Sequence, residues 1–90
     1  MRAILKTSTD PGLSFTHEAP IPTVKSPTDV LIKVRATAIC GTDVDIYRSD
    51  PDLTRRMTKA MPVITGHEFC GEVVEIGAAV KRARVGDYVS

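Results

Sequence analysis

The side chains best suited to binding a metal or moving a proton gather in two short stretches of this 90-residue sequence, "CGTDVD" and "TGHEFC". The first supplies Cys40, Thr42, Asp43 and Asp45, the second His67, Glu68 and Cys70. Thiolate and imidazole are preferred zinc ligands, and a catalytic zinc keeps three protein ligands so that water or substrate can take the fourth place. Cys40 and His67 offer the sulfur and the nitrogen, with Glu68 as a third, oxygen donor. The spacing is not that of a zinc finger, because 26 residues lie between Cys40 and His67 and no Cys-x-x-Cys pair occurs. Only the fold can assemble such a site. On residue types alone a plainer account stays open, in which Cys40 closes an apolar strand as a buried thiol and His67 is an ordinary polar residue.

The elements that must position these residues are mostly strands. "MRAILK" is short and apolar, "LSFTHEA" alternates, and "DVLIKVRATAI" carries Val30, Ile32 and Val34 at period two before a continuous apolar end. "TSTDPG" presets a bend between the first two strands, and "SPTD" is turn chemistry before the third. After Cys40, Thr42 or Asp43 is expected to cap a short helical turn that stops before Pro51. "PDLTRRMTKAMP" is polar, aperiodic and flanked by prolines, so it reads as an exposed loop. Strand pattern resumes from Phe69 to Ile76, and Gly77 with Gly86-Asp87 punctuates a last turn into "YVS". Short strands with one helical turn predict a mainly β, barrel-like domain and not an α/β sheet.

Composition narrows the partners. Net charge is +1 with scattered basic residues, which lacks the phosphate-neutralising stripe of a nucleic-acid binder. No apolar run approaches the roughly 20 residues of a membrane span, and "MRAILKTSTDPG" has no signal-peptide core. The expectation is a cytoplasmic protein with no membrane or nucleic-acid partner. Two cysteines are too few for a disulfide scaffold. Cys70 reads as a packed small hydrophobe, His17 as exposed, and Lys81, Arg82 and Arg84 as a solvated hairpin tip. Gly66, Gly71 and Gly77 read as positions needing positive φ or close strand approach.

"GHEFCGEVVEIGAAV" resembles the signature of the zinc-type medium-chain alcohol dehydrogenase family, with Gly66, His67, Glu68, Gly71, Gly77 and Val80 at its fixed offsets. "GDYVS" resembles the Gly-Asp-x-Val that follows it, and "AICGTD" the family's other metal segment. The resemblance implies a GroES-like, partly open β-barrel, with residues 1–90 as the N-terminal part of a catalytic domain. It implies Zn2+ held by Cys40, His67 and Glu68, Asp43 oriented on His67 from behind, and Thr42 as the first stop for the substrate's proton. NAD or NADP would be bound by a Rossmann domain outside these residues, which contain no Gly-x-Gly-x-x-Gly turn. The partner implied is a small alcohol or amino acid, with L-threonine favoured by "LIKVRATAICGTDV" and polyols, butanediol and other secondary alcohols open beside it. The full-length enzyme implied is a homo-oligomer.

Asp45 departs from the histidine that threonine-oxidising members typically carry three residues after the relay threonine. A carboxylate ordinarily titrates near pH 4 and is a poorer base at neutrality than imidazole. Asp45 therefore either serves the relay with a lower-pH profile or is a helix-start acid facing the dipole. Two other readings remain beside the enzymatic one: a freestanding GroES-like binding module without metal, and a metal-storage or structural domain using Cys40, His67 and Cys70. Residues 1–90 alone are expected to bind zinc weakly and to transfer no hydride.

Overall fold

A computed structural model describes all residues from Met1 to Ser90. The chain forms two compact units, each built from two separate stretches of sequence: Met1–Pro20 with Ile39–His67, and Ile21–Ala38 with Glu68–Ser90. No helix is long and apolar enough to cross a membrane.

The first unit is organised on one short strand. β1 (Ala3–Lys6) pairs antiparallel with β2 (Ser14–Thr16) on one side and β4 (Val63–Ile64) on the other, giving the order β2-β1-β4. The bend expected at Asp-Pro-Gly joins β1 to β2. Ala3, Ala19 and Ile46 are the buried apolar residues of this unit, and Lys6 and Thr54 are buried with them.

Two helices fill the stretch between Cys40 and β4. α1 (Gly41–Arg48) is longer than a single turn, and its N-cap is Cys40, not Thr42 or Asp43. Asp43 serves from the third helical position: its Oδ2 accepts the Cys40 N–H at 3.0 Å, while its own N–H donates to the Cys40 carbonyl at 3.1 Å. The helix ends at Ser49, which adopts the left-handed conformation at φ 60. α2 (Pro51–Met57), followed by a 3₁₀ turn at Thr58–Ala60, replaces the loop expected over "PDLTRRMTKAMP". Local chemistry explains this difference. Asp50 Oδ1 accepts the N–H groups of Asp52 and Leu53, each at 3.1 Å, Pro51 occupies the first helical position where no N–H is needed, and Arg55 and Arg56 meet the negative end of the dipole. Seven residues are too few to display a period, so caps carry the signal that spacing does not.

In the second unit, β3 (Val30–Ala38) and β5 (Glu68–Ile76) pair antiparallel over most of their length and β6 (Tyr88–Val89) adds to β5, giving β3-β5-β6. Neither three-stranded sheet closes on itself. Register shifts fall between Leu31 and Ile32 and between Val34 and Ala36. They interrupt the period-two face expected of β3, where Val30 and Val34 are 37% and 53% exposed. The one fully enclosed side chain of this unit is Val73, on β5. The Lys81, Arg82 and Arg84 cluster is exposed between β5 and β6, as expected.

Gly77, just after β5, lies so close to the Ser26 and Pro27 carbonyls that a Cβ would overlap them. Asp29 holds that turn. Its Oδ2 accepts the N–H of Ser26 at 2.9 Å and of Lys25 at 3.0 Å, and these bonds, Ser26 first, hold its carboxyl below the usual carboxylate range. A depressed folded-state pKa contributes stability above the unfolded value of about 4, and the contribution vanishes as pH falls through the folded value. Asp29→Asn is therefore expected to lower the thermal midpoint at pH 7, with the gap to the parent protein closing below about pH 4. Parallel midpoint curves across that range would refute this account of the turn.

Candidate metal centre

Cys40 and His67 meet. The Cys40 Sγ lies 2.7 Å from His67 Nε2, although the two residues are 27 positions apart in sequence. Both belong to the first unit, and the path to each is short. Cys40 is locked to the start of α1 by its exchange of backbone bonds with Asp43. His67 follows β4 by three residues, after the Thr65 N–H donates to the Ile4 carbonyl of β1 at 3.0 Å. Between them Gly66 sits at φ 103, a conformation open to glycine, which turns the backbone and delivers the imidazole.

Asp43 faces the other side of the ring. Its Oδ1 is 3.8 Å from His67 Nδ1, beyond hydrogen-bond reach, and this oxygen is buried without a hydrogen-bond partner. The imidazole thus presents Nε2 to sulfur and Nδ1 to a carboxylate. Nε2 is the ring nitrogen that shares a site with the sulfur. The donor atoms of Cys40, Asp43 and His67 all lie within 4.8 Å of one another.

The donor set fits zinc. Two ligands on one tetrahedral zinc stand about 3.5 Å apart, so the sulfur and nitrogen would separate by less than their present contact length to admit the ion. An unpartnered, buried carboxylate oxygen is costly in a metal-free site, and a neighbouring cation or a fully polarised imidazole relieves that cost. The carboxylate gathered beside this pair is that of Asp43, and it stands on the Nδ1 side of the ring, away from the sulfur. Glu68 is the first residue of β5, exposed, and outside the cluster.

The remaining residues singled out in the sequence divide clearly. Thr42 is the second residue of α1 and exposed, and Asp45, three positions later on the same helix, is exposed as well. Residues three apart are neighbours on a helix surface, so the hydroxyl and the carboxylate share one face. Cys70 is exposed on β5 opposite Ala36, which corrects the expectation of a packed thiol. The first three residues of β5, Glu68 to Cys70, are all exposed, and burial on that strand begins at Gly71. His17 is exposed, as expected, edge-on to Phe15 with ring centroids 4.8 Å apart. Sequence reasoning missed Lys6, whose only signal is a charge closing the apolar run "AILK".

Asp43→Asn keeps an acceptor for the Cys40 N–H and removes the charge behind the imidazole. It is expected to weaken zinc binding about 10- to 100-fold in a chelator competition while leaving the helical signal intact. Unchanged affinity would show that the carboxylate does no more than cap α1.

Residues 26–90 match the family described as the alcohol dehydrogenase GroES-like domain. L-threonine 3-dehydrogenases from Mesorhizobium japonicum and Symbiobacterium thermophilum are 48% and 50% identical to the chain over all 90 residues. The chain spans about a quarter of the length of these curated relatives, 25% and 24%. Among solved structures, zinc dependent alcohol dehydrogenase 2 from Streptococcus pneumonia, in its apo form, superimposes with a TM-score of 0.78 at 31% identity, covering 98% of this chain and 23% of that one. The 2R,3R-butanediol dehydrogenase from Bacillus subtilis gives 0.73 at 33% identity, covering 97% and 26%.

Proposed function

Because the chain belongs to the alcohol dehydrogenase GroES-like domain family, we propose that residues 1–90 form the N-terminal part of the catalytic domain of a zinc-dependent, NAD(P)-linked dehydrogenase. Its reaction is the oxidation of a secondary alcohol, with L-threonine going to 2-amino-3-oxobutanoate as the favoured case. The observation that carries this reading is the approach of Cys40 Sγ and His67 Nε2 to 2.7 Å with a carboxylate behind the ring. Near-50% identity to threonine dehydrogenases along the whole chain supports the substrate. The likeness to butanediol dehydrogenase keeps a vicinal diol as the second reading.

Cys40 and His67 would hold the zinc in this scheme. A bound zinc supplies Lewis acidity that makes an alcohol hydroxyl far more acidic than in water. Thr42, at the start of α1, accepts the proton released from that hydroxyl and donates its own onward, since a hydroxyl does both at once. Asp45, on the same helical face, receives it or passes it to water. Asp43 holds the His67 tautomer. A nicotinamide cofactor, when bound, would supply the acceptor for the hydride that the carbinol carbon loses.

Large apolar side chains left bare support a role within a larger catalytic domain. Ile39 is 82% exposed, Tyr88 75% and Ile21 72%, apolar side chains that a larger catalytic domain could cover. Two unpaired cysteines are in keeping with a reducing, cytoplasmic setting.

In the full-length protein, Cys40→Ser and His67→Ala are each expected to lose both bound zinc and NAD reduction with L-threonine. Thr42→Ala is expected to retain zinc while turnover falls about 10²- to 10⁴-fold. Full turnover in Thr42→Ala removes the relay, and a parent enzyme that reduces NAD with butanediol but not with L-threonine moves the substrate to the diol class.

A further inference from the structure

Lys6 is 1% exposed, and no carboxylate neutralises it. Its ammonium spends all three N–H groups on neutral oxygens: the Asp10 carbonyl at 2.6 Å, the Ser49 hydroxyl at 2.7 Å and the Gly12 carbonyl at 3.1 Å. A buried charge costs several kcal/mol of desolvation, of which hydrogen bonds return only part, so an apolar side chain would stabilise the strand more simply. The contacts show what the charge achieves instead. Ser49 is the C-cap of α1, and a positive group there faces the negative end of the helix dipole. The adjoining turn adds a second tie, because the Gly12 N–H donates to the Tyr47 carbonyl at 2.7 Å. The β1–β2 turn is thereby fastened to the last turn of α1.

The same residue stands at the root of the other half of the site. On β1, Lys6 pairs with Val63 of β4, and β4 leads through Thr65 and Gly66 to His67. One strand therefore governs both donors. Its backbone carries β4 and the imidazole, and its terminal side chain grips the far end of the helix that carries Cys40 and Asp43. A helix of eight residues is about 12 Å long and makes few buried contacts of its own, here only Ile46, so a tie at its C-terminus limits how its N-terminus can swing.

We propose that Lys6 is a positioning residue for the metal centre: it fixes α1 against β1 so that Cys40 Sγ and His67 Nε2 converge. This rests on the zinc reading above in its functional consequence but not in its structural one, and the two are separable by experiment. Lys6→Met in the full-length protein keeps length and apolar bulk and removes all three bonds. In metal-free protein, the amides of α1 are expected to lose hydrogen-exchange protection while those of β3 and β5 keep theirs. With cobalt as the probe ion, affinity is expected to fall about 10- to 100-fold and the visible spectrum of the thiolate-bound ion to broaden or shift. Should Lys6→Met not fold, Ser49→Ala, which removes one of the three acceptors, is expected to give smaller changes in the same directions. A folded variant with parental exchange in α1 and parental cobalt affinity overturns the proposal. If the parent protein takes up no cobalt, the zinc reading fails, and exchange in α1 alone decides whether Lys6 positions the helix.

Discussion

Two donors with opposite origins have to arrive at one point, and the first unit is arranged around that constraint. Cys40 comes from the start of a helix, His67 from the end of a strand, and nothing in their local sequence makes them neighbours. Their 2.7 Å approach depends on backbone ties: the capping exchange between Cys40 and Asp43, the Thr65–Ile4 bond, and the pairing of β4 with β1. Asp43 takes part twice, with one oxygen on the Cys40 backbone and the other toward the imidazole. A single carboxylate thus stands between the helix start and the ring.

The strands and the chemistry were legible in the sequence to different degrees. β1, β3 and β5 announce themselves through apolar runs and alternation, and Cys40, Asp43 and His67 through residue type and motif. α2 was hidden, because its evidence lies in Asp50 and Pro51 as caps and not in periodicity. β4, two residues long, has no pattern to detect. The assignment of Cys40 as N-cap was equally out of reach, since cysteine is not a favoured capping residue and the work is done by Asp43 from three positions on. Lys6 was invisible for another reason. A lysine at the end of a strand reads as a solvated charge, and only the position of Ser49, 43 residues away, makes it a buried one.

The apolar pattern of β3 gives a complementary lesson. Alternation at Val30, Ile32 and Val34 is real, yet Val30 and Val34 stay accessible, and the two register shifts put the faces out of step. Within residues 1–90 only Val73 of this unit is fully enclosed, so the sequence encodes more apolar face than these residues themselves bury.

Each unit is stitched from two stretches separated by the other's sequence, and this has a bearing on synthesis at the ribosome. As the chain emerges, Ile21–Ala38 appears early but cannot pair until Glu68 and its successors follow, so β3 waits with both edges open. The first unit becomes complete only when His67 has emerged. For some thirty residues of elongation, a few seconds at about 5–20 residues per second, the nascent polypeptide carries an unpaired strand edge with an apolar start, of the kind chaperones shield and neighbouring chains seize.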